Sequence, residues 1–566
     1  METLHIKQLK TRYRLPVPSG DGAIPEMRKR LDGLLRVVMD EALEAALEYE
    51  GIGSHEEICI RQVHAPVRLR LAESDQILID QWSQSLAQYI RRAIDEGGSE
   101  MVVRYPARIN SYVDFATGVA LGCLNRAWAW NQLGIADLPG GAEGTSQSAA
   151  REQLLITLER EPHFIVPVLK QLIDRGYFHA LAGQLSACDW QVLAQAAQQA
   201  AGSSMRTDAV LGQLITQSAA TGWLGRLPMN NSNVDFDIDN LSNSAKNRLL
   251  EKATVATVLQ LARSLLAGSS MGQLLLVAPQ LYRSDPATLE QLLILLVLEA
   301  EPTLMRQPQE RIEALLAALA MLVTGKGDFD KAALHKKQIP PVSDSAAKQA
   351  DAQKQREAQA QDDPAFSREH DEQRHAAQPL MDDEEAVDEY PLPTPVAPIE
   401  SEFGGLLYLL SLVDVLGLPD AIVAAPCFEQ RPFQWVLYHL ALNLIPLNEL
   451  DSALLAFCGL SGEEDLPWHD QPELSDSEQQ WFDQAAESLV QLLRERLAQH
   501  PDQLQQGREP LLDRVCRRQA QIISEPGWLE IVFPLDAVST EIRRAALDLD
   551  PGYLPWLGQV VKFRYE

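Results

Sequence analysis

The sequence predicts a mainly α-helical fold with small α+β units at both ends, arranged as helical-hairpin arrays joined by a disordered acidic linker. Three observations predict it. Leu, Ala, Gln and Glu are plentiful in a chain of 566 residues, while aromatics make up 6%, and that bias favours helix. Apolar residues recur at spacings of three and four through most of the chain, and alternate only near its two ends. Residues 341–400 hold 15 acidic and 5 basic side chains and few large apolar ones. Such a stretch cannot bury enough apolar area to offset ~1–2 kcal/mol of backbone entropy per residue. At about 100–200 residues per domain the length implies several units. The breaks in pattern place them at 1–105 (β-α-β-α), 106–330 (helical array), 331–400 (acidic, Pro-rich linker), 401–505 (helical) and 506–566 (α+β).

Residues 4–15 alternate loosely, with Ile6, Tyr13 and Leu15 among basic residues, and read as a strand with one wet face. Pro16, Pro18 and "SGDG" end it. Pro25 sits at the favoured first turn of a helix whose apolar set is Met27, Leu31, Leu34, Leu35, Val38, Ala42 and Ala45. "EEICIRQVHAPVRLRL" (56–71) reads as a second strand segment, with Pro66 marking a break, bulge or edge. A helix with Ile79, Trp82, Leu86, Tyr89, Ile90 and Ala93 follows. From about 109 to 325 the pattern is helical, cut by short breakers. In "SDPATLEQLLILLVL" Asp285 can cap, Pro286 opens the first turn and Glu290 lies in the N-terminal turns. No period is regular enough to name a repeat family.

After the linker, "FGGLLYLLSLVDVLGL", "FQWVLYHLALNLI" and "ELDSALLAFCGL" read as three helices. A fourth, "DSEQQWFDQAAESLVQLLRERLAQH", lines up Trp481, Ala485, Leu489, Leu492, Leu493 and Leu497. "GWLEIVFPL", "AVSTEIRRAALDL" and "QVVKFRY" then read as strand, short helix and strand. The terminal aromatics thus fit a β-α-β closure, with Pro551, Gly552 and Pro555 shaping the turn before the last strand. Trp528, Tyr553, Trp556 and Phe563 are the candidate partner-binding residues.

A net charge of −30 (49 basic, 79 acidic) argues against a general nucleic-acid or anionic-membrane binder. Six cysteines without a CxxC pair read as small buried hydrophobes in a reducing compartment. The N-terminus shows no secretory h-region. "LLILLVL" (292–298) falls far short of the ~18–20 residues that span a bilayer. The cytoplasm is the expected location.

No chemistry-bearing motif is legible. Asp235, Asp237 and Asp239 stand at alternate positions, but an EF-hand loop wants Gly and Glu where this chain has Asn240 and Lys246. The segment therefore reads as a polar loop with helix caps. "TGKGD" (324–328) lacks the phosphate-loop spacing, and there is no HExxH or GxSxG. His439 lies in an apolar helix and reads as a core residue. "DDEE" (382–385) reads as solvated linker. The expectation is a non-enzymatic scaffold or assembly protein with no catalytic, cofactor-binding or metal-binding residues.

Two stretches carry a resemblance. "HIKQLKTRYRL", "RKRLDGLLRVVMDEALEAALE" and "EEICIRQVHAPVRLRL" resemble the opening of the tape measure family of contractile injection systems, in which "IRQVHAPVRL" is a divergent form of that family's strand. "FPLDAVSTEIRRAALDLDPGYLPWLGQVVKFRYE" is similar to tails of proteins encoded with such systems. The likeness covers about the first 130 and last 40 residues. It implies a part in assembling a phage-tail-like injector or setting its length, with tube, baseplate or cap components as partners. It also implies a location in the cytoplasm during assembly and inside the assembled particle afterwards. A continuous helix of this chain would reach ~850 Å at 1.5 Å per residue. The 33 Pro and 32 Gly depart from a continuous rod and make a folded chaperone or adaptor of the same system the alternative. An unrelated cytoplasmic helical scaffold is the third reading.

Overall fold

The computed structural model describes residues 6–14, 23–50, 52, 57–98, 100–138, 146–202, 257–282, 286–323, 390–392, 396–460, 462, 471–498, 507–537 and 539–566. The fold is mainly α, with a small sheet toward each end. Two compact units divide it: Met1–Thr157 with Glu389–Pro393, and Leu158–Asp388 with Thr394–Glu566. The segments 229–243 and 324–328, the capping position Asp285 and the "DDEE" block lie outside the described residues.

In the first unit α1 (Ala23–Val37) runs through a π-helical turn (Val38–Ala42) into α2 (Leu43–Tyr49). The wider turn inserts one residue into the helical count. Leu31, Leu34, Leu35 and Val38 are buried as the 3.6-residue period predicts, but beyond the turn the buried stripe is Leu43, Ala46 and Leu47, and Ala45 is exposed. The expected core position Ala45 is therefore corrected to Ala46. Both halves pack on α3 (Asp75–Glu96) through Leu78, Ile79, Trp82 and Ala87. Arg30 ties them, donating to Asp75 Oδ1 and to the carbonyls of Leu71 and Glu73.

The two strands expected here are largely replaced. Residues 6–14 form no ladder; Tyr13 packs on the α1–α3 core and donates to Asp32. Of residues 56–71 only β1 (Glu57–Ile60) pairs, antiparallel to β2 (Val102–Tyr105), a strand that the sequence pattern did not show. Beyond β1 the chain stays extended, and half-buried Val67, Leu69 and Leu71 face the helices without a strand neighbour. Alternation fixes which side is apolar, and Pro66 removes a donor that a ladder would need. Buried α4 (Arg108–Leu121) and short α5 (Ala127–Gln132) complete the unit, and α6 (Gln147–Arg160) contains its boundary.

The second unit opens with α7 (Ile165–Asp174), α8 (Phe178–Ala182) and α9 (Ala187–Ala200), the last capped by a Ser186–Asp189 box. The helix Pro286–Ala300 begins at the predicted proline and is buried along Leu292–Leu298. That burial explains an apolar run too short for a bilayer.

One hydrophobic core then extends from Leu406 to Phe563. It joins the helices Leu410–Val415, Leu418–Ala424, Phe433–Leu444, Ser452–Phe457, Asp476–Leu497 and Arg508–Cys516 to a five-stranded sheet. No core boundary falls at 505/506, so the expected separation of 401–505 from 506–566 is corrected. Gly404 and Gly405 replace the first expected helical turn with a tight 3₁₀ segment (Gly404–Leu409). A Cβ at Gly405 would stand 2.1 Å from the Val515 carbonyl oxygen, so only glycine admits this approach.

The sheet order is β3-β4-β5-β7-β6: β3 (Ile399–Ser401), β4 (Ala520–Glu525), β5 (Trp528–Phe533), β7 (Gln559–Tyr565), β6 (Gly552–Leu554). β4 and β5 form a hairpin through Pro526–Gly527, where Gly527 has φ 77°, as a turn with proline first and glycine second requires. β5 and β7 run parallel, joined by the crossover containing the helix Thr540–Arg544. The β-α-β closure is thus present, with β3, β4 and β6 added. Of the expected linker 331–400, residues 390–392 belong to the first unit and Ile399 and Glu400 to a strand, and 331–389 and 393–395 lie outside the described residues.

Among the described residues no single helix is long and apolar enough to cross a membrane. Cys59, Cys458 and Cys516 are buried as expected, but Cys188 is exposed.

Candidate functional site

The first unit holds a buried polar centre built on Asp114. Asp114 lies mid-way along α4, a helix apolar enough to be buried nearly all round. A carboxylate there must be paired to be tolerated. Arg126, at the entry to α5, donates from Nη1 to Asp114 Oδ1 at 2.7 Å. Tyr105, closing β2, donates its hydroxyl to Oδ2 at 2.7 Å, and the Trp130 indole donates to the same oxygen at 2.8 Å. Asp114 is 1% exposed and Arg126 4%.

Gly118, one helical turn beyond Asp114, makes room for this arrangement. A Cβ there would lie 2.5 Å from the Trp130 ring. The phenol of Tyr105 is pushed well above its ordinary range, first by burial and then by the neighbouring Asp114 charge. It is therefore a fixed donor at neutral pH.

Tyr390 enters this centre from 276 residues further along the chain, donating its hydroxyl to the Asp114 backbone carbonyl at 3.1 Å. Arg126 Nη2 donates to the Tyr390 carbonyl at 3.1 Å, and its guanidinium carbon lies 4.7 Å from the centre of the Tyr390 ring. Burial, then the Asp114 charge, raises the Tyr390 phenol well above its usual range. Sequence reasoning missed this site. The available signal was the one tyrosine in a polar stretch, followed directly by "PLP".

The four residues expected to bind partners lie instead in the packing of the second unit. Trp556 is 1% exposed and donates to Asp414 Oδ1 at 2.9 Å. Phe563 is buried edge-on to Tyr408, whose ring stacks on Phe533. Trp528 is buried at the start of β5. Tyr553 is half-buried, with its ring 5.3 Å from that of His163. The aromatic surface of Trp528, Trp556 and Phe563 is taken up within the chain, which corrects their assignment as partner anchors, while Tyr553 keeps part of its surface exposed.

The other shifted groups are dispersed, and Glu478, Glu299, Glu301 and Glu530 have structural partners. Glu478 pairs with Arg431 at 2.7 Å and closes a capping box with Ser475. Burial alone would raise its pKa, but hydrogen bonds from Arg431 and Ser475 outweigh that and hold it below the usual range. Glu299 accepts from the backbone amides of Ser270 and Met271. Glu301 accepts from the Phe433 amide, and burial raises its pKa to about 7. Glu530, on β5, pairs with Arg564 of β7 at 2.5 Å.

His439, as expected, packs among Trp435, Tyr438 and Phe482. Burial, then the Arg431 charge, lowers its pKa to about 4, so it is neutral at physiological pH. A cleft of about 280 Å³ beside Gly202 is lined by Arg306, Gln307, Gln309 and Asp420, and there Arg306 and Asp420 are paired at 3.0 Å. Among the described residues, no three His, Cys, Asp or Glu side chains gather as a metal site would need. No protein-family model, curated protein or solved structure matches this chain.

Proposed function

We propose that the chain is a non-enzymatic assembly component of a contractile, phage-tail-like injection system. In this reading it acts as a folded adaptor or chaperone for tube, baseplate or cap proteins, and its presence during assembly places it in the cytoplasm. The assignment to such a system rests on the likeness of the N-terminal and C-terminal stretches. What supports an adaptor over a stretched ruler is the burial of the helices. The two longest described helices have 22 residues each, about 33 Å at 1.5 Å per residue. Each presses its apolar face into the core of its own unit, and extending the chain would expose those cores to water.

The test is to delete or lengthen residues 341–388 and image the particles by electron microscopy. An adaptor leaves particle length unchanged while particle number falls. Length that scales with the insertion would establish a ruler instead, and unaltered particles after removal of the whole protein would end the injector reading.

A further inference from the structure

We infer that the centre formed by β2, α4 and α5 is a peptide-recognition site for an extended Tyr-Pro-Leu segment, and that the chain's own Tyr390–Leu392 is its resident ligand. Three observations carry this. The socket is complete without its occupant. The Asp114 carboxylate already accepts from Tyr105, Trp130 and Arg126, so withdrawing Tyr390 leaves no charge unpaired.

The contacts read the occupant as a ligand. Its hydroxyl, its ring face and its main-chain carbonyl are engaged by one backbone oxygen of α4 and one guanidinium. An aromatic face over a desolvated guanidinium is attracted through the ring's quadrupole, more strongly than it would be in water.

The segment also has the form of a docked extended peptide. Tyr390 is buried, Pro391 exposed and Leu392 half-buried. Pro391 biases Tyr390 to extended backbone before it binds, and proline-rich segments lose little entropy on docking. The piece Glu389–Pro393 belongs to a unit otherwise continuous over Met1–Thr157. The site is thus a clasp that holds Tyr390–Leu392 and that a like peptide can open.

The test uses the full chain with Tyr390→Gly, Pro391→Ser and Leu392→Gly together, and a fluorescein-labelled peptide of residues 386–396 (AVDEYPLPTPV). Helical circular dichroism and elution volume establish that the variant folds. The expected result is saturable binding to the variant, at least about ten-fold tighter than to the natural chain, whose site is occupied. The peptide carrying Tyr390→Phe should bind more weakly, and Tyr390→Ala should not bind. The inference is overturned if the folded variant does not bind the peptide, if both chains bind it equally, or if the tyrosine can be replaced without effect. It is equally overturned if the variant cannot fold, because the segment would then be an inseparable part of the core.

Discussion

Both units bury an arginine–carboxylate pair at 2.7 Å, yet the two pairs are assembled differently. Glu478 stands at the third position of a 22-residue helix, where the Ser475 capping box positions it before any long-range contact forms. Arg431 then completes the site, donating to both Glu478 oxygens and to the carbonyls of Pro472 and Glu473, with its guanidinium 4.0 Å over the Trp435 ring. Asp114 has no such local scaffold. Its donors come from β2, α5 and the segment before it, all held by tertiary packing. A pair with local support can lose one partner and keep others. A pair supported only by the fold fails as a whole.

That contrast predicts an order of effects. Asp114→Ala takes the carboxylate from the buried Arg126 guanidinium, which keeps the Tyr390 carbonyl and ring face, and leaves the buried donors Tyr105 and Trp130 without their acceptor. The expected cost is about 3–5 kcal/mol, measured by denaturant unfolding. A loss below about 1 kcal/mol would show that the centre is not a tightly coupled network. Glu478→Ala should cost less, about 2–3 kcal/mol, because Arg431 keeps two carbonyls and the Trp435 face, and the other donor that loses its acceptor, Ser475, is exposed to water while Tyr105 and Trp130 are not. Equal losses at the two sites would erase the distinction.

Protonation sharpens the comparison further. The pKa of Glu301 is raised to about 7 by burial, against about 4.3 for a free glutamate. Between those values the folded chain binds more protons, so this group makes stability fall as pH rises. Below the unfolded value both states are protonated and the penalty vanishes; above about 7 it is fully present. Glu301→Gln should therefore stabilise by on the order of 1–3 kcal/mol at pH 8 and by little at pH 4. Thermal unfolding of both chains across that range should show a gap that opens with pH; a constant gap would contradict it. Glu478, held below its usual range, acts with the opposite sign. Its contribution is present above the unfolded value and is lost as pH falls through its depressed folded value.

The smallest effect is expected at Ala546, which takes φ 53° just past the helix Thr540–Arg544. Its amide donates to the Arg543 carbonyl and that of Leu547 to Ile542, closing a left-handed cap. Ala546→Gly removes the Cβ strain and should stabilise by about 0.5–1 kcal/mol. No gain in melting temperature would mean that the surrounding sheet absorbs the strain.

Legibility followed the range of the interactions. The helix Asp476–Leu497 was readable to its first turn because its cap and apolar stripe are local. The crossover between β5 and β7 was readable from alternation on either side of a short helix. β2 and β4 were not, since each is defined by the strand it pairs with. The π-helical turn at Val38–Ala42 was invisible to a fixed period, and it moved the core position from Ala45 to Ala46. The candidate site was least legible. Asp114, Arg126 and Tyr390 each look ordinary in their own segment, and only their meeting gives them a role.

The sequence by itself determined that this chain is helical, that its ends alternate into small sheets, and where several of its helices begin, because propensity, capping and periodicity act over a few residues. Only the tertiary structure decided that Trp528, Trp556 and Phe563 are buried instead of facing a partner, and that Tyr390 docks on a buried charge pair in the first unit. Burial and hydrogen-bond pairing depend on residues that are distant in sequence, and a local reading contains no record of which distant group desolvates or satisfies a given side chain.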